Sequence, residues 1–335
     1  MNRRIKTLVA LPLVATLGSL GIVTASGASG DSVAVVGYST ISASYTALET
    51  AFEATSAGQG VTFTNSFGAS GTQAQDVVAG QPADIVNFSL IPDMNTVVKA
   101  GLVSRSWQKN PISAAEDGFD ADSTVVIVVR PGNPLNITGW NDLTNSGVQI
   151  VTPDPISSGS AKWNLLGAYY SQVLQGKKGN EPHNFLNSVI SNVVSEPSSG
   201  SKALSTFLAG TGNVLLAYES DAQEALATGS KIQIIYPAQN ILIQTPAALT
   251  VTGSNNPGAV SFFKFLFSSA GQTILAAQHY RATLAGQAST LNSAFYQPAK
   301  LITIAQLGGW SKVWGQFFSK YGLFTRIEGA HGYTT

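Results

Sequence analysis

The sequence predicts an α/β fold in two lobes, and three observations carry that reading. A strand, a turn of small hydroxyl residues and a helix follow one another repeatedly along the chain. Two β-rich stretches, residues 123–130 and 232–251, stand where a chain would cross between lobes and return. Beyond its first 30 residues the chain is about 305 residues long, more than one simple core accommodates.

In order, residues 33–37 form an apolar strand that breaks at Tyr38-Ser39-Thr40-Ile41-Ser42, ahead of a helix face made by Tyr45, Leu48 and Phe52. Residues 61–65 form the next strand, and Ser66-Phe67-Gly68-Ala69-Ser70-Gly71-Thr72-Gln73 leads into a helix with Val77 and Val78. A third strand over 83–88 precedes a helix around 94–100 that stops at Gly101. The β-branched run 123–130 is closed by Pro131-Gly132-Asn133-Pro134, which continues neither strand nor helix.

The stretch Thr152-Pro153-Asp154-Pro155-Ile156-Ser157-Ser158-Gly159-Ser160 links the strand 148–151 to an amphipathic helix near 163–175. Its hydroxyls suit a helix N-cap, and the N–H groups of a helix start attract anions. A further helix over 183–191, a strand over 193–196, the loop Pro197-Ser198-Ser199-Gly200-Ser201-Lys202 and a helix over 203–208 repeat the pattern. Strand 214–219 contains Tyr218 near its end, and 232–251 reads as the return crossing. Residues 260–278 form a helical pattern interrupted at Ser269-Ala270-Gly271-Gln272, with Phe262, Phe263, Phe265 and Phe267 as core. The tail, with Trp310, Trp314, Phe317 and Phe318, is expected on the first lobe. The division is 1–30 as a leader, 31–122 with 247–335 as the first lobe, and 123–246, crossing strands included, as the second.

Arg3, Arg4 and Lys6 ahead of the uncharged run 7–23 and the small residues 24–30 have the pattern of an export signal. A retained membrane anchor is the other reading, since the run approaches spanning length. The product lies in the periplasm or outside the cell, or stays anchored if the leader is kept. Taking those three bases from the 18 in the chain leaves about 15 against 18 acidic groups, which argues against a nucleic-acid surface. With no cysteine there is no disulfide, no thiolate metal site and no lipid-modified cysteine. Charged residues make up only 11% of the chain, against about 25% in ordinary soluble proteins.

Reactive groups are sparse. His183, His279 and His331 are scattered, no HExxH is present, and neither Ser70 nor Ser158 sits in a GxSxG elbow. Asp84, Asp154, Glu196 and Glu219 lie near strand ends, where a carboxylate pair could form. The glycine-rich turns match neither a P-loop nor a dinucleotide fingerprint. What remains is a set of strand-to-helix turns carrying Ser39, Ser70, Ser158, Ser160 and Ser199, with Tyr218 at a strand end. Several helix N-termini meeting in a cleft hold an anion through N–H dipoles without Lys or Arg.

The ordered motifs Phe67-Gly68-Ala69-Ser70-Gly71-Thr72-Gln73, Ala83-Asp84-Ile85-Val86, Val129-Arg130-Pro131-Gly132-Asn133-Pro134, Trp140-Asn141-Asp142-Leu143, the stretch 152–164, Leu216-Ala217-Tyr218-Glu219 and Gly308-Gly309-Trp310 resemble the periplasmic sulfate- and thiosulfate-binding proteins of ABC importers over nearly the whole mature chain. The resemblance implies a two-lobed, type II periplasmic-binding-protein-like fold closing over a tetrahedral dianion. It implies no cofactor, no metal and no catalysis, with an inorganic oxyanion and a membrane permease as partners of a monomer. The ligand-binding residues it implies are Ser39, Ser70, Gly71, Ser158, Gly159, Ser160, Ser199, Gly200 and Tyr218. Ser39 replaces the family's aspartate, Ser160 a glycine, Lys162 an arginine and Tyr218 the cleft tryptophan. Fully ionised sulfate offers only acceptors and wants donors, whereas a protonated phosphate also needs an acceptor. Hydroxyls do both, so phosphate, molybdate, thiosulfate or a small organic anion stays open. A secreted serine hydrolase or transferase is the rival reading; it ends if no histidine, lysine or carboxylate reaches Ser70 or Ser158.

Overall fold

The computed structural model describes residues 31–331, so the leader expected over 1–30 lies outside the described residues. The first α/β units are β1 (Ser32–Tyr38), α1 (Ser42–Glu53), β2 (Thr62–Gly68), α2 (Ser70–Val78), β3 (Ile85–Asn87) and α3 (Ile91–Lys99). Strands β1, β2 and β3 pair in parallel, with β1 central. Tyr45, Leu48 and Phe52 recur on one face of α1 and are buried, as their spacing requires.

The long β4 (Phe119–Val129) leaves this lobe, and the second is built from β5 (Ile150–Val151), α4 (Gly159–Leu174), α5 (Glu181–Ser191), β6 (Val193–Ser195), α6 (Gly200–Leu208), β7 (Val214–Tyr218) and α7 (Glu219–Ala227). The chain returns through β8 (Gln233–Ile235) and β9 (Gln239–Leu249). In the resulting sheet the order is β2-β1-β3-β9-β4-β7-β5-β6, with β8 on β4. The crossing strands are antiparallel to their neighbours: β9 pairs with β3 at Ala247–Leu249 and with β4 around Leu242–Pro246, and β4 pairs with β7 from Val125 onward. This arrangement puts the carboxyl ends of both parallel groups at one seam, where open α/β sheets take ligands.

Helix α8 (Pro257–Leu266) begins with Asn256, whose side chain accepts from the Ala259 N–H at 3.2 Å, and Pro257 in the first turn, where its missing N–H costs nothing. Helix α9 (Ser269–Ala277) follows after a 64° bend. The sequence places this interruption at 269–272; it falls instead at Phe267 and Ser268, because Ser268 caps α9 by accepting from the Gly271 N–H at 3.2 Å. Phe262 packs edge-on against Phe63 and Phe52, at centroid distances of 4.7 and 5.3 Å, tying α8 to β2 and α1.

The end of the chain comprises α10 (Ala288–Leu291), β10 (Lys300–Ile302), which pairs with β9, α11 (Trp310–Phe317) and α12 (Leu323–Ala330). Its packing differs from expectation. Trp310 meets Trp163 edge-on at 5.0 Å and Phe317 meets Tyr169 at 4.9 Å and Tyr170 at 5.7 Å, so the tail covers α4 in the second lobe rather than the first lobe. The reason is that α4 carries large rings on more than one side: one side lies on the sheet, and the aromatic rings on the other need a cover. Among the described residues no single helix is long and apolar enough to cross a membrane.

Candidate functional site

Three helix N-termini and three strand ends supply the seam. Strand β1 ends at Tyr38 and turns through a 3-10 segment, Ser39–Ile41; β3 ends just before Phe88 and Ser89; β7 ends at Tyr218. The helices are α2, starting at Ser70, α4, starting at Gly159, and α6, starting at Gly200.

On the first-lobe side, Ser70 Oγ accepts from the Ser89 N–H at 2.9 Å and donates to Asp93 Oδ2 at 2.6 Å. Burial raises the Asp93 carboxyl above its ordinary range, while Lys162 and the Ser70 bond pull it down; burial lowers Lys162, while Asp93 and Asp154 raise it. The two lobes meet here directly. The Gly71 N–H donates to the Ser157 carbonyl at 3.0 Å, and Trp163 Nε1 donates to the Ser89 carbonyl at 2.8 Å. A Cβ on Gly159 would fall 2.4 Å from Ser89 Cβ, so only glycine permits this approach.

The other side is a cluster of hydroxyls. Ser158 and Ser160 share a hydrogen bond at 2.8 Å. Ser39 Oγ accepts from the Ser201 N–H at 3.3 Å. The α-carbon of Gly200 comes so close that a Cβ there would lie 2.8 Å from the Thr40 methyl and 3.0 Å from Ser160 Oγ. Ser199 caps α6, accepting from the Lys202 N–H at 3.3 Å. Tyr38 and Tyr218 have ring centroids 6.3 Å apart.

Within this cluster the hydroxyls of Tyr38, Thr40, Tyr218, Ser220 and Tyr280 are buried, and among the described residues none has a hydrogen-bond partner. They approach one another and their neighbours closely, Tyr38 and Tyr280, Tyr280 with Ser220 and Thr40, Tyr218 with Ser89, and Thr40 with Asp221, but none of these contacts reaches full hydrogen-bond geometry. Burial pushes all three phenols well above their ordinary range, so they stay protonated and remain donors. Asp221 is also buried here. Burial raises it to about 7, against the lowering effect of Thr40 and the Tyr218 backbone.

The sequence-named residues are thus brought together in two linked groups. Ser70 connects through Ser89 to Gly159 and Gly71 connects to Ser157, while Ser39, Ser158, Ser160, Ser199 and Gly200 lie around the first turns of α4 and α6, with Tyr218 beside Tyr38. Missed were Ser89, Thr40, Ser220, Asp221 and Tyr280. Ser89 follows a strand and precedes a helix, the same signal that marked Ser70; Tyr280 follows α9 and has no local signal. Two of the strand-end carboxylates are otherwise engaged: Asp84 accepts from the Ala34 N–H at 2.8 Å, and Glu219 pairs with Arg281 at 2.8 Å. The hydrolase reading loses Ser158, whose hydroxyl bonds only Ser160, but not Ser70, whose hydroxyl donates to a carboxylate.

Two lobes joined by antiparallel crossing strands, with donors converging on the seam between them, define a bilobal ligand-binding protein. A family model described as bacterial extracellular solute-binding protein matches residues 33–281, and the chain belongs to that family. It is 35% identical over 315 residues to a sulfate-binding protein of Synechococcus elongatus, covering 91% of this chain and 89% of the relative. A sulfate-binding protein of Escherichia coli is 32% identical over 280 residues, covering 81% and 84%. Among solved structures, the sulfate-binding protein SubI from Mycobacterium tuberculosis superposes with a TM-score of 0.81 at 37% identity, covering 86% of this chain and all of that one, and so bears out the type II fold.

Proposed function

We propose that this chain captures a tetrahedral oxyanion, sulfate first and thiosulfate second, between its lobes and delivers it to the permease of an ABC importer. One observation carries the reading: a cluster of five buried hydroxyls, none satisfied by a hydrogen bond of full geometry, one of which, Thr40, lies against Gly200 at the start of α6. An unsatisfied buried hydroxyl costs free energy, and an ion presenting only acceptors relieves that cost for each hydroxyl it reaches. The sulfate-binding relatives support the same ligand class. The residues assigned to the ligand are Ser39, Ser70, Gly71, Ser158, Gly159, Ser160, Ser199, Gly200 and Tyr218, with Thr40, Ser89 and Tyr280 added. The structural support for Ser70 and Gly71 is as positioning residues, since the Ser70 proton is directed at Asp93 and the Gly71 N–H at the Ser157 carbonyl.

The lobes are proposed to divide at 122/123 on β4 and 246/247 on β9, with the tail covering the second lobe. The protein acts as a monomer outside the cytoplasmic membrane, released from or held by residues 1–30, and does no covalent chemistry. The contact of Ser70 with Asp93 is the one feature favouring a hydrolase. Against it, the Ser89 N–H donates to the same oxygen, while His279 and His331 face Glu224 and Asn187.

Calorimetric titration of the folded chain with sulfate, thiosulfate, phosphate and molybdate tests the reading. Saturable binding led by sulfate is expected; no heat with any of the four would end it.

A further inference from the structure

A separate cleft of about 1460 Å³ runs along the interlobe seam, between α2 and α3 on one bank and α11 and α12 on the other. Aromatic residues Trp310, Trp314, Phe318 and Phe324 line the second bank. At its second-lobe end stand Asp154, Glu196 and Glu328. Glu328 is 5% exposed, and neither of its carboxylate oxygens has a hydrogen-bond partner among the described residues. Burial raises Glu196 to about 8 and Glu328 to about 7, and the charges acting on both are other carboxylates: Glu328 and Asp154 on Glu196, Asp154 on Glu328. The one buried base of the cleft, Lys162, is engaged by Asp93 and Asp154 and lies 5.9 Å from the Trp314 ring centre. Lys99 and Lys320 stand exposed on the rim.

A buried carboxyl without donors, Glu328, beside a partly exposed second one, Glu196, is costly, and a cation that supplies several N–H groups removes that cost. A metal ion does not fit, because among the described residues no group of three or more His, Cys, Asp or Glu side chains is spaced to hold one. A flat, delocalised cation does, because its N–H fork meets carboxylates edge-on while its face lies against aromatic rings. We propose that this cleft is a second ligand site, which takes a small guanidinium compound with its head between Glu196 and Glu328 and its body along Trp314 and Phe318. The site shares no assigned residue with the anion site except Gly71 at its margin, and it stands whether or not the anion is sulfate.

The test is titration of the full chain with agmatine, followed by calorimetry and by the fluorescence of Trp310 and Trp314, at constant ionic strength. Saturable binding is expected, weakened about tenfold or more by Glu328→Gln, with sulfate affinity unchanged. Glu196→Gln, at a partly exposed position, serves if the first variant does not fold. The proposal is overturned if a folded chain gives no saturable response at about 10 mM agmatine, or if the folded variants bind agmatine as the parent does.

Discussion

The indole Nε1 of Trp163, in the second lobe, donates to the carbonyl of Ser89, in the first, at 2.8 Å. Ser89 holds Ser70 through its own N–H, and Trp163 is braced by Trp310 from the tail. The tail is therefore connected to the first-lobe half of the anion site through two indoles and one serine.

Trp163→Phe keeps most of the ring and removes this bond, leaving the Ser89 carbonyl without its donor across the seam. Sulfate affinity is expected to fall by about 1–3 kcal/mol. Calorimetry on a variant with native circular dichroism checks it; parent-like affinity would show that the bond plays no part in closure.

Tyr218→Phe removes a buried hydroxyl that has no partner among the described residues. Sulfate binding should weaken by about 1.5–3 kcal/mol, the range for a bond to a charged group, while ligand-free thermal stability holds or rises. Loss of stability with unchanged affinity would contradict the assignment of this hydroxyl to the anion.

Gly159→Ala places a methyl group 2.4 Å from Ser89 Cβ and 2.8 Å from Leu90 Cδ2. The seam must open to accept it, so affinity is expected to drop by roughly 1–3 kcal/mol, the range for overpacking. Small-angle scattering with saturating sulfate should report a larger radius of gyration than the parent; identical radius and affinity would show that the approach is not needed.

Asp221, raised to about 7 mainly by burial, lies in the hydroxyl cluster. Its ionised form repels a dianion and its neutral form does not, so sulfate affinity should decline as pH climbs through about 7. Asp221→Asn should flatten that profile. A parent profile flat across the range would remove Asp221 from the vicinity of the ligand.

At the crossing, burial raises Asp120 to about 7, and burial together with Asp120 raises Asp122 to about 8. Both folded values lie above the ordinary carboxylate range. Between the two ranges the native state holds more protons than the unfolded one, so stability is greater near pH 4 and is lost as pH rises toward about 8. Asp120→Asn can still accept from Asn87 and Thr245 and should recover roughly 2–4 kcal/mol at the alkaline end. Melting temperatures measured across that range decide it; a parent whose melting temperature rises with pH contradicts the assignment.

The strand–turn–helix units, the two crossings and the serines at helix starts were legible from the order of residues alone. Those features depend on residues near one another in the chain: spacing sets which face is buried, and small hydroxyl residues suit the starts of helices. Only the tertiary structure decided that Tyr280 and Asp221 join Tyr38, that Ser70 faces Asp93, and that the tail covers α4. The pairs Tyr38–Tyr280 and Trp163–Trp310 lie more than a hundred positions apart, and no local periodicity encodes which distant surfaces meet. The sequence shows α4 as an amphipathic helix with one core face; that its other face is also buried depended on the free energy of burying the rings of Trp163, Tyr169 and Tyr170 against the tail.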